Sequence, residues 1–103
     1  YFWTNDVRLD SADPSSAVVA TEFVGTSITS TGPSYDGLMS AMPNNPQVKF
    51  FDSRVRGYMA IDVTPERMTT RYRSISDVRD PHASVSTLNT WMVENGRPGA
   101  RPA

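Results

Sequence analysis

The side chains that could act in acid–base or nucleophilic catalysis are few, and they do not form a recognisable motif. His82 is the only histidine of the chain, and it lies in an Asp-Pro-His turn, where a histidine is usually a surface residue. Ser84 and Ser86 follow it too closely in sequence to predict an assembled serine–histidine pair. The eleven acidic residues are dispersed, without the spacing of an EF-hand loop or an HExxH helix. The residue types and spacings therefore predict neither a catalytic residue nor a metal ligand in this chain.

An arginine-rich stretch is the first candidate for ligand binding. Arg67, Arg71 and Arg73 are separated by even numbers of positions, which places them on one face of a strand. Such a cationic face could bind an anion, but a solvated face with pairs across neighbouring strands is the commoner arrangement. Glu22 and Asp62 lie inside other predicted strands, so we expect them to pair with arginines across the sheet.

The second candidate is the aromatic run Tyr1-Phe2-Trp3. Aromatic side chains at a surface can stack on a cation or contact an acyl chain. Packing into a core is the commoner role of aromatic residues. The residues alone leave both interpretations open.

Composition limits the classes of protein to which the chain can belong. A length of 103 residues suits one small domain, and a hydrophobic fraction of 38% with eight prolines predicts many loops. The net charge of −1 provides no basic surface for nucleic acid. The absence of cysteine excludes a disulfide framework and a cysteine nucleophile, and no apolar run approaches the roughly 20 residues of a transmembrane segment.

Hydrophobic periodicity predicts a mainly β structure of about five strands and one short helix. Period-two alternation, rich in β-branched and aromatic residues, marks the strands. Ser34 is a suitable N-cap for a helix that ends before the proline-rich segment after Met42. The predicted strands are Ala17–Ile28, Val48–Phe51, Gly57–Val63, Arg67–Ile75 and Val85–Glu94, and the predicted helix covers Pro33–Met42.

The arrangement of these elements indicates that partner segments are missing. The middle of the chain, residues 48–75, is predicted as a β-meander of three strands. The strand Ala17–Ile28 is apolar on both faces, which is typical of a strand covered on both sides, yet one short helix cannot cover it. Tyr1–Leu9 is predicted as a strand end or a loop that enters a short helix, and residues 98–103 are predicted as a disordered tail.

Seven short stretches carry a family resemblance: Trp3–Asp6, Thr21–Ser30, Asn45–Asp52, Arg56–Tyr58, Asp62–Pro65, Val85–Leu88 and Asn95–Gly99. In their order and spacing they resemble the C-terminal third of PhoD-like alkaline phosphatases. The resemblance extends from Trp3 to about Gly99, and it depends on the stretches together rather than on any one of them.

This resemblance implies a fold, an activity and cofactors. Such proteins have a four-layer (αββα) metallophosphoesterase sandwich, which this chain would complete as a mainly β fragment, with residues 1–97 as the C-terminal segment of the catalytic domain. They hydrolyse phosphate monoesters and diesters, and some secreted relatives act as phospholipase D. Known members use iron with calcium. The resemblance therefore implies a secreted, metal-dependent phosphoesterase that acts on a phosphate ester or a phospholipid.

The resemblance also implies where the metals and the substrate lie. In such proteins a metal-binding Gly-Asp-x-His motif directly precedes the Trp-x-Asn-Asp stretch, so it would come before Tyr1. No metal ligand can be assigned to this chain, and iron and calcium would be bound by a partner, the N-terminal chain of the same precursor. This chain would be either a proteolytic product that stays bound to that partner or a part of a longer protein. The substrate-binding residues would be Tyr1, Phe2, Trp3, Asn5, Thr26 and Ser27.

A second class of function is a free-standing β-sandwich that binds a ligand without catalysis. Such a module should fold cooperatively when it is expressed alone. A fragment of a shared sheet should aggregate, because its unpaired strand edges and its uncovered apolar face would be exposed.

Overall fold

The computed structural model describes all residues, 1–103, and contains seven strands in two antiparallel sheets. The elements are β1 (Phe2–Arg8), β2 (Val18–Val24), α1 (Tyr35–Met39), a 3₁₀ turn (Met42–Asn44), β3 (Val48–Asp52), β4 (Arg56–Val63), β5 (Arg67–Ile75), β6 (Val85–Glu94) and β7 (Arg97–Pro102). The first sheet has the order β2-β1-β3, and the second has the order β4-β5-β6-β7. The prediction of a mainly β chain with one short helix is confirmed, but the number of strands is seven rather than five.

Both ends of the chain are strands, contrary to the expectation from the sequence. β1 is the central strand of the first sheet, and it pairs with β2 and with β3. The predicted disordered tail is wrong, because the Asn95-Gly96 turn returns the chain along β6 and pairs Glu94 with Arg97. Gly96 has a φ of +78°, which glycine adopts readily. The prolines of β7 are tolerated because β7 is an edge strand, whose outer side needs no hydrogen-bond donor.

The predicted three-strand meander is divided between the two sheets. β3 pairs with β1 in the first sheet, and the segment from Ser53 to Val55 carries the chain across to β4 in the second. The meander that the structure contains is β4-β5-β6. β2 was expected to be covered on both faces, but in this chain it is an edge strand, and Val19 is 50% exposed. Alternation predicts which face a side chain occupies but not which strand lies beside it.

The helix begins as expected and is shorter than predicted. Ser34 is the N-cap, and its Oγ accepts a hydrogen bond from the Gly37 amide at 3.1 Å. α1 has five residues, fewer than the predicted Pro33–Met42, and a separate 3₁₀ turn with Pro43 follows it. Neither is long and apolar enough to cross a membrane.

The core lies between the two sheets and is organised around Tyr72 of β5. The ring centroid of Tyr72 is 4.8 Å from that of Phe2, 5.5 Å from that of Phe50 and 6.5 Å from that of Phe23. These three partners belong to β1, β3 and β2, so one side chain of the second sheet contacts every strand of the first. The fully packed cluster consists of Phe2, Tyr72, Trp91 and Ala100.

The Tyr72 hydroxyl is also bound within this core. It donates a hydrogen bond to the Trp3 carbonyl oxygen, and it therefore accepts one from the Thr4 hydroxyl at 2.6 Å, since it has a single proton. Burial raises the pKa of Tyr72 to about 12, and the contact with Thr4 opposes this rise. The phenol is consequently protonated at neutral pH and can act as the donor to β1.

A β-bulge provides a polar connection between the sheets. The register of β1 and β3 shifts between Thr4 and Asn5, which leaves Lys49 as the extra residue of β3. Lys49 Nζ lies 3.1 Å from Asp6 Oδ1 and donates to the Ala100 carbonyl oxygen at 2.6 Å. One ammonium group therefore links β3 and β1 to β7.

The core is small for the length of the chain. Only 13 of 103 residues are buried, and the surface of 6341 Å² exceeds the about 5,800 Å² expected for a monomer of this mass. The radius of gyration is 14.8 Å, against about 12.8 Å for a compact domain of this length. Leu9, Ile28 and Val63 are each more than half exposed. The chain therefore leaves apolar surface that its own residues do not cover.

Replacing Tyr72 with Phe should destabilise the protein by about 1–3 kcal/mol, because the Thr4 hydroxyl and the Trp3 carbonyl would lose a buried partner. Guanidinium unfolding measures the difference. Tyr58→Phe is the matched control, since Tyr58 is 44% exposed, and it should change the midpoint little. Equal midpoints for the two variants would contradict the assigned role of the Tyr72 hydroxyl.

Replacing Gly57 with Ala should cost at least about 2 kcal/mol, because the new Cβ would overlap the Arg73 carbonyl oxygen where β4 and β5 pair. Gly25→Ala is the comparison, since its Cβ would meet only the flexible end of Met59, at 3.3 Å. Thermal unfolding of both variants tests this difference. An equal loss in the two variants would show that β4 and β5 are not packed this closely.

Candidate functional site

The alternation of β1 divides the predicted aromatic cluster between two faces. Phe2 points into the core and is 0% exposed, so the structure removes it from the predicted substrate-binding surface. Tyr1 and Trp3 lie on the opposite face of the first sheet, with Tyr1 40% exposed. Packing into the core is therefore the role of Phe2, and ligand binding stays a prediction for Tyr1 and Trp3.

Tyr1 and Trp3 belong to a larger aromatic surface that also includes Tyr35 and packs on the buried ring of Phe51, which is 7% exposed. The ring centroid of Phe51 is 5.5 Å from that of Tyr1, 6.4 Å from that of Trp3 and 6.0 Å from that of Tyr35. The guanidinium of Arg54 lies 4.0 Å above the Tyr35 ring in a cation–π contact. Sequence reasoning missed Tyr35 and Phe51 as site residues, although period-two spacing places Phe51 on the face opposite to Phe50.

The antiparallel pairing of β1 and β2 brings Thr26 and Ser27 to the same end of the molecule. Trp3 pairs with Val24, so the loop after β2 lies beside the start of β1. The amino group of Tyr1 donates a hydrogen bond to Thr26 Oγ1 at 3.0 Å. Four of the six predicted residues, Tyr1, Trp3, Thr26 and Ser27, therefore lie together.

Asn5 lies apart from this group. It pairs with Glu22, which is two positions, or about 7 Å, further along the sheet than the Trp3–Val24 pair. It lines a different cleft, of about 310 Å³, together with Asp6, Arg8 and Gln47. Asn5 Oδ1 is buried and has no hydrogen-bond partner in the chain.

Arg56 is a site residue that sequence reasoning missed. Its side chain is 93% buried, since Arg56 is 7% exposed, and it donates hydrogen bonds to Ser27 Oγ at 3.1 Å and to the Ser53 carbonyl oxygen at 2.7 Å. No carboxylate lies within ion-pair distance of it. An arginine at the start of a strand gives no sequence signal of burial, because arginine is usually exposed.

Asp52 and Arg54 form an ion pair beside this residue. Arg54 Nη2 lies 2.9 Å from Asp52 Oδ2, and the Arg54 backbone amide donates to Asp52 Oδ1 at 2.8 Å. Burial by itself would raise the pKa of Asp52, but these hydrogen bonds and the charges of Arg54 and Arg56 outweigh burial, so the pKa lies below its ordinary value. The carboxylate is therefore ionised at neutral pH, and it fixes the turn that leads from β3 to β4.

A cleft of about 320 Å³ opens beside Arg56 and contains three arginines. Arg54 is paired with Asp52, and Arg79 Nε lies 3.2 Å from Asp77 Oδ1, so Arg56 is the arginine without an acidic partner. Ser53 Oγ, which is buried in the same wall, has no hydrogen-bond partner. Hydroxyl groups and one unpaired guanidinium suit an anionic group such as a phosphate.

The histidine and the carboxylates of this chain do not gather into one cluster. His82 is exposed in its turn, as predicted. No three His, Cys, Asp or Glu residues lie close enough together to hold a metal ion, so these residues do not fit the iron and calcium implied by the resemblance. The arrangement of aromatic rings, hydroxyls and guanidinium groups can bind and orient a ligand.

The arginine-rich strand forms part of a solvated sheet face. Arg71 pairs with Asp62 across β4 and β5, which confirms the expected pairing of Asp62. The same expectation for Glu22 is wrong, because it pairs with Asn5 in the first sheet and forms no ion pair. Arg73 donates a hydrogen bond to the Thr87 hydroxyl. These contacts favour the structural role of this face over an anion site.

Two antiparallel sheets gather aromatic rings, hydroxyls and guanidinium groups at one end, and comparisons with known proteins identify the class to which this fold belongs. Residues 1–72 match the family model described as PhoD-like phosphatase. Since this match covers more than half of the chain, the protein belongs to the PhoD-like phosphatase family.

Two relatives agree with this assignment. The chain is 33% identical over 102 residues to alkaline phosphatase D of Bacillus subtilis (strain 168). The aligned region covers 96% of this chain and 17% of that protein. A solved structure of PhoD superposes with a TM-score of 0.86 at 32% identity, over 99% of this chain and 20% of that one. The chain thus spans a fifth or less of the length of these relatives.

Replacing Asp52 with Asn should destabilise the protein in a way that depends on pH. A carboxyl group with a lowered pKa stabilises the folded state above its unfolded pKa of about 3.9, and this contribution disappears as the pH falls through the lower pKa of the folded state. The difference in unfolding free energy between the parent and Asp52→Asn should therefore shrink as the pH falls below about 4. Guanidinium unfolding at several pH values measures it.

Asp62→Asn is the matched control, because it also removes a carboxylate that is paired with an arginine, but on an exposed face. At neutral pH it should cost less than Asp52→Asn. A difference for Asp52→Asn that persists unchanged to pH values of about 3 would contradict the assigned ionisation.

Proposed function

We propose that this chain is the C-terminal segment of a secreted, metal-dependent phosphoesterase, and that it forms the substrate-side wall of the active site. The observation that carries the proposal is the superposition on the solved structure of PhoD, which includes almost the whole chain but only 20% of that structure. The remaining residues of such a protein are available to hold the metals. This chain has hydroxyl, guanidinium and aromatic groups at one end, which suit binding rather than bond cleavage.

In this proposal, iron and calcium are held by residues that lie outside this sequence, in a partner chain or in the rest of a longer protein. Those residues also complete the four-layer sandwich. The exposed apolar side chains support this view, because Leu9, Ile28 and Val63 need cover in a stable protein. The edge strand β2 offers a row of unpaired backbone groups to further strands.

The substrate proposed for this site is a phosphate ester. Thr26 and the aromatic surface would contact the alcohol that the phosphate esterifies, and Arg56 would hold Ser27 in place beside them. An exposed ring such as Tyr1 suits a cationic or apolar alcohol, as in phosphatidylcholine, somewhat better than a small monoester. Both a phospholipase D and an alkaline phosphatase activity are consistent with the proposal.

The test uses the native protein that carries this chain. Its intact mass and its iron and calcium content are measured first, and then the hydrolysis of p-nitrophenyl phosphate and the release of choline from phosphatidylcholine. A mass several times that of this chain, bound metal and hydrolysis of either ester are expected. Removal of the metals by a chelator should abolish hydrolysis. A protein that contains no further chain or segment and cleaves neither ester would refute the proposal.

Replacing Trp3 with Ala in that protein should raise KM about five- to tenfold for the better substrate, because an aromatic contact would be lost from the substrate-side wall. Steady-state kinetics provides the measurement. Tyr58→Ala removes an exposed aromatic ring from the second sheet and should leave KM unchanged. An equal KM for the Trp3 variant and the parent would place the substrate elsewhere.

The alternative of a free-standing binding module is tested by expressing the 103 residues alone. The excess surface and the few buried residues predict aggregation or a non-cooperative thermal transition, so the unfolding of the variants described above is measured in the native protein that carries this chain. A soluble monomer with a cooperative transition would favour the module.

A further inference from the structure

The loop that follows β2, residues Thr26–Gly32, is attached to the rest of the chain at few points. We call it the 26–32 loop. The Ser27 carbonyl oxygen accepts a hydrogen bond from the Gly57 amide at 3.3 Å, and Ser27 Oγ accepts one from Arg56 Nη1. The only other hydrogen bond that leaves the loop comes from the amino group of Tyr1 to Thr26. Residues 28–32 are exposed, so the position of the loop depends mainly on Ser27 and the Arg56-Gly57 dipeptide.

A single guanidinium group contacts both ends of this loop. Arg56 Nη1 bonds Ser27 near the start of the loop, while Arg56 Nη2 lies so close to Gly32 that a Cβ there would overlap it. The same Nη2 donates to the Ser53 carbonyl oxygen at 2.7 Å, which anchors the guanidinium to the turn between β3 and β4. The fork geometry of arginine allows these contacts at once, whereas the ammonium of a lysine is a single point of charge.

The loop is also stabilised by a hydrogen bond between two of its own residues. Ser27 Oγ donates a hydrogen bond to the Ser30 carbonyl oxygen at 3.1 Å and accepts one from Arg56, so its hydroxyl acts as both donor and acceptor. Loss of the arginine contact would therefore weaken the turn within the loop as well as its attachment. Since Thr26 lies beside Tyr1, any shift of the loop would change the surface next to the aromatic residues.

We infer that Arg56 is a positioning residue: it clamps the 26–32 loop in the place where that loop completes the substrate-side wall, and so it controls substrate affinity without contacting the reacting atoms. The part of this inference that concerns the substrate rests on the proposed function. The clamp itself rests on the geometry of Arg56, Ser27 and Gly32.

The first experiment measures the clamp without any activity, by amide hydrogen–deuterium exchange in the native protein that carries this chain. Arg56→Lys and Ser27→Ala should each speed exchange of the Gly57 amide about tenfold, because this amide donates the backbone hydrogen bond to Ser27 and loses its partner when the loop is released. Arg71→Lys is the matched control, since it makes the same change in an arginine of the second sheet. It should leave exchange of the Gly57 amide unchanged.

The second experiment separates positioning from general destabilisation. In Ser27→Ala and Arg56→Lys, KM should rise about tenfold while kcat stays within about twofold of the parent, because the wall is loosened and the reacting groups lie elsewhere. Ser27→Thr keeps the hydroxyl and should restore KM. If Arg56→Lys does not fold, Ser27→Ala and its rescue decide the question.

Two results would overturn the inference. One is exchange of the Gly57 amide that is the same in Ser27→Ala as in Arg71→Lys. The other is a Ser27→Ala protein that loses kcat and thermal stability together with no change in KM, which indicates a purely structural role. If the parent protein cleaves no phosphate ester, the proposed function fails, and the exchange measurement still decides whether the clamp exists.

Discussion

The contact between Tyr72 and the first sheet is the interaction on which the rest of the structure depends. Its ring reaches from β5 to the aromatic residues of all three strands of the first sheet. Its hydroxyl binds the Trp3 carbonyl and the Thr4 side chain. These hydrogen bonds fix where β1 lies along β5, and the ring contacts fix the distance between the two strands. A buried hydroxyl without these partners would cost about 1–3 kcal/mol. Because Trp3 lies on β1 and faces outwards, the same contact that organises the core also places the aromatic surface.

The ends of β1, β2, β3 and β4 converge, and this gathers aromatic rings, hydroxyls and guanidinium groups at one end of the molecule. The antiparallel pairs set Thr26 beside Tyr1, and the turn that changes sheets places Asp52, Arg54 and Arg56 next to them. Buried polar groups at this end are satisfied mostly by one another, as the Asp52–Arg54 and Arg56–Ser27 contacts illustrate. Membership of the PhoD-like phosphatase family and the small core agree with a segment that functions as part of a longer structure.

Local patterns predicted the elements whose signals are local. The strands Arg67–Ile75 and Val85–Glu94 have the predicted bounds, because alternation is continuous through both, and Ser34 caps the helix through its own side chain. β1 and β7 were missed for different reasons. β1 has mostly polar residues on its inner face, where Thr4 and Asp6 are buried through contacts with distant partners. β7 contains prolines and glycine, and a partner strand rather than its composition makes it a strand.

The sequence by itself determined the mainly β character, the short helix, the family resemblance and four of the residues that gather at the binding end. The tertiary structure alone decided that Phe2 is core, that Asn5 faces another cleft and that Arg56 is buried against Ser27. It also decided that β3 leaves the meander for the first sheet. The physical reason is the same in each case. Alternation along a strand specifies the two faces, but the neighbour of a face is another strand, and for Tyr72 and Thr4 that neighbour is 68 positions away in the chain.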